Sequence, residues 1–448
     1  MLASTRAIAV VSALTAGALC LSTTNASAAA GGPPQLTPAV NTPRLPLNTS
    51  SVYQIRQIAQ CGSTMYAVGT FASILQGKTT YTRNGAFSFN AKSPYKMTSW
   101  DPEVNGTVNS IAFSGSNCAD AYLGGQFTSV GGTAVKNIAE VSTSTGAVVT
   151  SFGHSAGGQV ETIVNSGSHL LVGGYFTSIN NSSAAPYFTS LNLTTGKNDG
   201  YLNLGISGNY QYTDDSGQHV SSNSTRVYNA QLSPDGTKLL VEGDFTTIGG
   251  QPRQQVAMLD LGASSATVDP WYATEFNAHC ATVEPFYARE AAWSPDESTV
   301  YVATTGYKPA NGPGFGTSQP RAGLCDAAAA FPATAGQVTH KWINYTGCDS
   351  LYAVAADNST AYFGGHERWA NNPNGCDNAG PGAVAAPGMI GLSPTSGSIT
   401  YNPTRSRGYG ADDMLVTSAG LWVADDNENN SSMCGGEYGY SGLCLLPY

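Results

Sequence analysis

An apolar-aromatic run, one or two glycines and then an aromatic, often followed by Thr, recur along this chain and limit what it can fold into. The clearest copies are Tyr66-Ala-Val-Gly-Thr-Phe71, Tyr122-Leu-Gly-Gly-Gln-Phe-Thr128, Leu171-Val-Gly-Gly-Tyr-Phe-Thr177 and Leu240-Val-Glu-Gly-Asp-Phe-Thr246. Weaker ones are Tyr301-Val-Ala-Thr-Thr-Gly-Tyr307, Tyr362-Phe-Gly-Gly-His-Glu367 and Leu421-Trp-Val-Ala-Asp-Asp426. The aromatic slot falls at 71, 127, 176, 245, 307, 367 and 427, in steps of 49 to 69 residues. A period of this size marks a stacked or radial array, because one such unit cannot bury its apolar face alone.

Short polar turns such as Ser233-Pro-Asp-Gly236 precede each copy, so the first two runs of a unit pair as a hairpin. A third run follows, closed by turns such as Thr145-Gly146, and a fourth ends on an aromatic, as in Trp100-Asp-Pro102 and Asp269-Pro-Trp271. Four antiparallel strands in each of seven units, with no helical period, predict an all-β, seven-bladed β-propeller over residues 49–448. The glycines inside the second strand permit close backbone approach near a crowded axis. The last unit lacks a fourth strand before the chain stops. Residues 42–48, within a Pro-rich lead-in over 29–48, are therefore expected to complete the last blade and hide two sheet edges.

Residues 1–28 read as a secretory signal: Arg6, an apolar stretch, then Asn25-Ala-Ser-Ala28 at the cleavage site. The expected location is secreted and extracellular, with no transmembrane anchor and a monomeric state. Of nine cysteines, Cys20 falls in the signal, leaving eight for a disulfide framework. Repeat register pairs Cys61 with Cys118, both in turns between first and second strands, and Cys280 with Cys348, both before first strands. Cys325 with Cys376, and Cys434 with Cys444, complete the set. Zinc is the rival reading, but no Cys-x-x-Cys occurs.

Charged residues are 11% of the chain and the net charge is −10, with 19 Lys plus Arg scattered, which disfavours a nucleic-acid partner. No phosphate loop, Gly-x-Ser-x-Gly, His-Glu-x-x-His or EF-hand pattern occurs, so neither catalytic residues nor a cofactor are assigned. The combination of Gly-Gly-Gln-Phe-Thr-Ser-Val-Gly-Gly132, Asn137-Ile-Ala-Glu-Val and Thr145-Gly with Phe152 resembles the secreted bacterial β-propeller repeats called delta-60 type. The stretch from Gly364-Gly-His-Glu-Arg-Trp through Tyr401-Asn-Pro403 to Gly420-Leu-Trp-Val423 resembles the C-terminal blades of actinobacterial exported propellers. The resemblance covers the mature chain and implies fold and export but no chemistry. The chain departs from that pattern at Glu367, where an aromatic is expected, and in its cysteines.

In a propeller, the connections after second strands and those between units gather on one face, at the mouth of the channel. The long insertions of units three to seven fall there. They carry Tyr210, Tyr212, Asp214 and Asp215 in 205–226, and Trp271, Tyr272, His279 and Glu284 in 271–289. Arg321, His366, Trp369, Asp425, Asp426 and Glu428 belong to the later loops. Aromatic faces beside carboxylates and amides suit a sugar, whose rings stack and whose hydroxyls need acceptors. The competing explanation is that the aromatics pack the loops and the acids are solvated. Asp425, Asp426 and Glu428, with Asp412 and Asp413 nearby, supply hard oxygens for a structural calcium, although their spacing is not diagnostic. The expected function is an extracellular binding module for a cell-surface or environmental glycan. The alternative is a glycan-cleaving hydrolase or lyase at the same face, which needs two carboxylates at a set separation.

Overall fold

The computed structural model describes residues 32–47, 51–210, 224–277, 280, 286–307, 323–403, 407–428 and 441–448. The signal read at 1–28 lies outside them. The chain is all-β, with a single 3-10 turn, Thr274–Asn277, among the described residues.

The longer strands form antiparallel sheets in strict chain order. Sheet 1 takes Gln54–Cys61, Thr64–Thr70 and Ala86–Asn90. Sheet 2 takes Thr107–Phe113, Asp120–Gln126 and Ile138–Ser142. Sheet 3 takes Gln159–Asn165, His169–Tyr175 and Phe188–Asn192. Sheet 4 has four strands, Arg226–Leu232, Lys238–Asp244, Val256–Leu261 and Ala266–Val268. Sheet 5 comprises Ala288–Trp293, Thr299–Thr304, Ala327–Pro332 and Trp342–Tyr345. Sheet 6 comprises Leu351–Ala356, Ala361–Gly365, Met389–Leu392 and Ile399–Tyr401. Sheet 7 closes the series with Asp413–Thr417, Gly420–Ala424 and Leu443–Pro447. The first strand of each sheet packs beside the first strand of the next, and that of sheet 7 lies beside that of sheet 1. This is the radial arrangement of a β-propeller.

The core is divided in the same way. One apolar cluster fills each gap between neighbouring sheets. The gap between sheets 7 and 1 holds Trp422, Leu443 and Leu445 against Ile55, Phe87 and Phe89. The aromatic after the fourth run is part of this packing: the indole N–H of Trp100 donates to Ser142 O at 3.0 Å and that of Trp271 to Pro332 O at 2.9 Å, each at the end of the third strand in the following sheet. Trp342, which opens the fourth strand of sheet 5, donates to Pro394 O at 3.0 Å, just past the third strand of sheet 6. Burying the ring while its polar edge finds a carbonyl is what a Trp needs in an apolar gap.

Two expectations are modified. In sheets 1–3 the fourth strand shrinks to a single bridge, Phe89 with Met97, Val141 with Val148 and Leu191 with Asn198. The chain then leaves for the next sheet, where its aromatic is held. The expected strand over 42–48 is not formed among the described residues; only Arg44 makes a bridge, to Leu75. Instead the lead-in runs irregularly along the third strand of sheet 7 and the residues just before it, with Gln35 N donating to Pro447 O, Ala39 N to Leu445 O and Leu45 N to Ser441 O. Three prolines among residues 34–43 remove donors and fix φ there, so the segment pairs at intervals without a regular ladder.

Cys61 pairs with Cys118, as register predicts, with Cα atoms 6.2 Å apart. The other pairings require correction. Cys280 bonds Cys325 and Cys348 bonds Cys376, with Cα separations of 5.6 and 4.9 Å, in place of 280 with 348 and 325 with 376. Each of these bonds joins the approach to a first strand with the loop after a second strand, and these segments meet on the same face of the ring. Equivalent positions in neighbouring sheets are separated by a whole sheet gap there. Cys444 is also disulfide-bonded, and Cys434 lies outside the described residues.

Candidate functional site

The repeat's second glycine shapes the channel. In sheet 2, a Cβ on Gly125 would stand 2.1 Å from Thr107 O, and in sheet 1 one on Gly69 would stand 2.0 Å from Gln54 O. The carbonyl is driven there by a β-bulge, which places one extra residue in the inner strand, as between Ile55 and Gln57 or Val108 and Ser110. Six inner strands carry this bulge at the same place. In sheet 5 Thr304 stands where the glycine is expected, its hydroxyl donating to Leu324 O at 2.6 Å.

The extra residues are Arg56, Asn109, Glu161, Tyr228, Arg289 and Tyr352, and with Asp412 of sheet 7 they form a ring lining a narrow central cavity of ≈ 50 Å³. The next level down carries Gln57, Ser110, Thr162, Asn229, Glu290 and Asp413. These side chains stitch neighbouring sheets together. Asp413 accepts Ile58 N at 2.7 Å, Gln57 accepts Ile111 N at 2.6 Å, Ser110 accepts Ile163 N at 3.0 Å and Glu290 accepts Val354 N at 3.3 Å. Inner-strand amides that face the axis thus find partners in the preceding sheet, as buried backbone donors must.

The bulges sit near the starts of the inner strands, on the face where second strands end. On that face, over sheets 5 and 6, lies a cavity of ≈ 670 Å³ that shares Tyr352 with the channel. Its wall is a charged network. Asp349, 3% exposed at the start of the inner strand of sheet 6, accepts Arg368 Nε at 2.9 Å and Nη2 at 2.6 Å. Arg407 stands 3.5 Å from the same carboxylate and donates to His366 O at 2.7 Å. Arg368 also pairs with Asp377, which accepts Tyr307 Oη at 2.5 Å. Although burial opposes it, the hydrogen bonds from Tyr307 and Arg368 hold Asp377 below its usual range. Burial, and then the Arg407 charge, lower His366 below 6.5, so its ring is neutral at neutral pH, with Nδ1 buried and lacking a hydrogen-bond partner. The disulfide at Cys348 closes one side of this wall. The result is a fixed set of planar donors and acceptors beside the rings of Tyr287, Tyr307 and Tyr352.

The residues singled out from sequence divide among several environments. His366 lines the cavity, and Trp369 lies half-buried beneath the Arg368 guanidinium, 4.6 Å from its carbon to the ring centre. Trp271 does not reach the mouth: it is fully buried in the gap between sheets 4 and 5, in the slot that Trp100 fills between sheets 1 and 2. Tyr210 is buried against Phe286 and the Cys280–Cys325 disulfide. Tyr272 is half-exposed, with its hydroxyl 3.0 Å from Gln337 Oε1. Asp425 and Asp426 are buried and occupied by backbone amides: Asp425 accepts Gly442 N at 2.5 Å, and Asp426 accepts Tyr409 N at 2.8 Å and Glu428 N at 2.5 Å. They brace the loop starts. Among the described residues no group of three or more His, Cys, Asp or Glu is placed to hold a metal ion. Tyr212, Asp214, Asp215, His279, Glu284 and Arg321 lie outside the described residues.

Asp349, Arg368, Arg407 and Tyr352 are additions that loop composition alone did not single out. Glu367 is fully buried and both its carboxylate oxygens lack hydrogen-bond partners, in the slot where Phe127, Phe176 and Phe245 stand in earlier sheets. Burial holds its carboxyl well above the ordinary value.

No family model matches the chain, and no curated protein matches it. Among solved structures it is similar to the WD40 β-propeller domain of Doa1, with TM-score 0.47 and 11% identity over 88% of this chain and 94% of that one. It is also similar to U3-55K, with TM-score 0.47 and 10% identity over 92% and 100% of the two chains. A third is the extracellular domain of the one-component system BT4673 from B. thetaiotaomicron, with TM-score 0.46 and 10% identity over 90% of this chain and 39% of that one. At these scores the likenesses carry no argument about activity. No helix among the described residues is long and apolar enough to cross a membrane.

Proposed function

We propose that this chain is an exported, seven-bladed β-propeller of the delta-60 type, with its lead-in segment completing the last blade, and that it is a binding module for a glycan. The observation that carries the reading is the ≈ 670 Å³ cavity, where three tyrosines meet the Asp349, Arg368 and Arg407 network. Its size is that of ordinary small-ligand sites. Tyrosine faces offer stacking to sugar rings, and acceptors and donors held by one another present hydroxyl partners at little cost in side-chain entropy. Disulfides across two of the loops that build the cavity suit an oxidising compartment and keep the site formed without ligand.

The test is a glycan array with the purified mature protein, followed by calorimetry on any hit. Tyr307→Ala and Arg407→Gln are expected to weaken binding about tenfold or more, since each removes a cavity wall group. Lys197→Ala, in an exposed turn on the opposite face, is expected to leave it unchanged. Unaltered affinity in both cavity variants would place the site elsewhere. Turnover of a bound glycan would replace the binding module with the hydrolase or lyase.

A further inference from the structure

Five described arginines face the mouth of a protein whose net charge is −10. Three of them have an acid within ion-pair distance. Arg368 and Arg407 share Asp349, and Arg226 stands 3.9 Å from Glu161. Arg56 and Arg289, both in the ring that lines the channel, have no such partner among the described residues. Arg289 rests over the Tyr228 ring at 5.3 Å, and Tyr228 in turn stacks on Tyr287 at 4.1 Å, so a continuous aromatic path runs from the channel into the wall of the larger cavity. Arg56 Nε is a buried donor with no hydrogen-bond partner. A buried donor left unsatisfied in a cavity wall points to an acceptor from outside the chain.

Two acids share the ring. Glu161 is engaged by Asn109 Nδ2 at 3.0 Å and by Arg226, and Asp412 is the other. Burial lifts the Asp412 carboxyl to about 6 and that of Asp413, one level below, to about 7, while Glu290 beside them rises well above its ordinary value. Arginines keep their charge in such surroundings, so near and below neutral pH the balance inside the channel shifts toward the guanidiniums. A carboxylate satisfies guanidinium forks and fits a space of ≈ 50 Å³.

We propose that the ligand is an acidic saccharide: its carboxylate enters the channel and is held by Arg56 and Arg289, while its rings lie along Tyr352 in the adjoining cavity. This rests on the glycan reading and adds the charge of the sugar. The proposal is tested by arraying uronate- and sialate-containing saccharides, each beside its carboxyl-reduced counterpart, against the whole mature protein. The acidic member of a pair is expected to bind at least about tenfold more tightly, with the preference lost in Arg56→Gln and in Arg289→Gln and reduced by added salt. Equal binding of both members, unchanged in the two variants, would overturn the acidic ligand and leave the glycan reading intact.

Sodium glucuronate alone, at the ionic strength of a sodium chloride control, is expected to raise the melting temperature of the wild type but not of either variant. If no arrayed saccharide binds while sodium acetate stabilises through Arg56 and Arg289 as well as glucuronate does, the anion site stands and the glycan reading falls. If glucuronate has no effect on the wild type, the anion site falls. Melting of the unliganded variants at low salt checks that both are folded.

Discussion

Sheets 1–3 and sheets 4–6 are built from the same repeat and finished differently. In the first group the mouth-side loops are short and are tied by asparagines. Asn137, in the left-handed region at φ 63°, accepts Phe127 N at 3.2 Å and donates to Gly158 O at 2.9 Å, and Asn180 holds Gly153 and Gly196 through their carbonyls. In the second group four full strands form each sheet, the loop of sheet 4 keeps the short pattern with Gln255 N donating to Phe245 O, and in sheets 5 and 6 the loops lengthen and two disulfides replace the asparagine ties. The disulfide of Cys61 with Cys118 sits on the opposite face of sheets 1 and 2. Covalent ties on the mouth thus appear where the hydrogen-bonded loop pattern stops, and the larger cavity lies among them.

The widest separation expected is between two tryptophans of the second group. Trp271→Ala empties a fully buried slot between sheets and should cost about 3–5 kcal/mol of stability. Trp369→Ala, half-buried at the mouth, should cost about 1 kcal/mol or less and act instead on binding. Chemical denaturation of both variants decides it; similar losses would mean that Trp369 also belongs to the frame.

Next in size come the disulfides. Cys348→Ser with Cys376→Ser should lower stability by about 2–4 kcal/mol and weaken glycan binding as well, since Cys348 lines the cavity. Cys61→Ser with Cys118→Ser should cost a similar amount and leave binding intact. Non-reducing peptide mapping of the wild type should recover 280 with 325 and 348 with 376. Recovery of 280 with 348 would break the contrast between the two faces.

The smallest effect compares repeats position by position. Glu242 is fully buried, with both carboxylate oxygens lacking hydrogen-bond partners, where sheet 1 carries Val68, sheet 7 carries Ala424 and sheets 2, 3 and 6 carry glycine. Burial holds its carboxyl well above 4.5, so the folded state keeps a proton that the unfolded chain releases. Wild-type stability therefore declines as pH rises from about 4.5 upward through the folded value. Glu242→Val should remove that decline and gain about 1–3 kcal/mol at pH 8, with a smaller gain at pH 4. Urea melts at both pH values check it, and a gain independent of pH would show that packing rather than charge is responsible.

The frame was legible because a propeller repeats its physics: the glycine pair, the hairpin turns and the closing aromatic each do one job in every unit. The same signal, followed one residue further, assigns Trp271 to the frame, since Trp100 and Tyr201 occupy its register. His366 was found because composition singles out a loop histidine. Asp349 and Arg368 were not, because their meaning lies in meeting one another across 19 residues. The disulfide partners followed loop geometry on one face, which repeat register does not encode. The channel residues had a readable address, the inner-strand position set by the bulge opposite the second glycine, but nothing in their varied chemistry advertises a common role.

That address has a consequence for how such a chain diversifies. A bulged residue has no partner across the ladder, and its side chain points away from the apolar gaps between sheets. Arginine, asparagine, glutamate and tyrosine all stand at this level of one ring, each delivered by a nearly identical bulged backbone. The channel is in effect a combination lock with its dials mounted on separate blades, and turning one dial leaves the frame that carries the others in place.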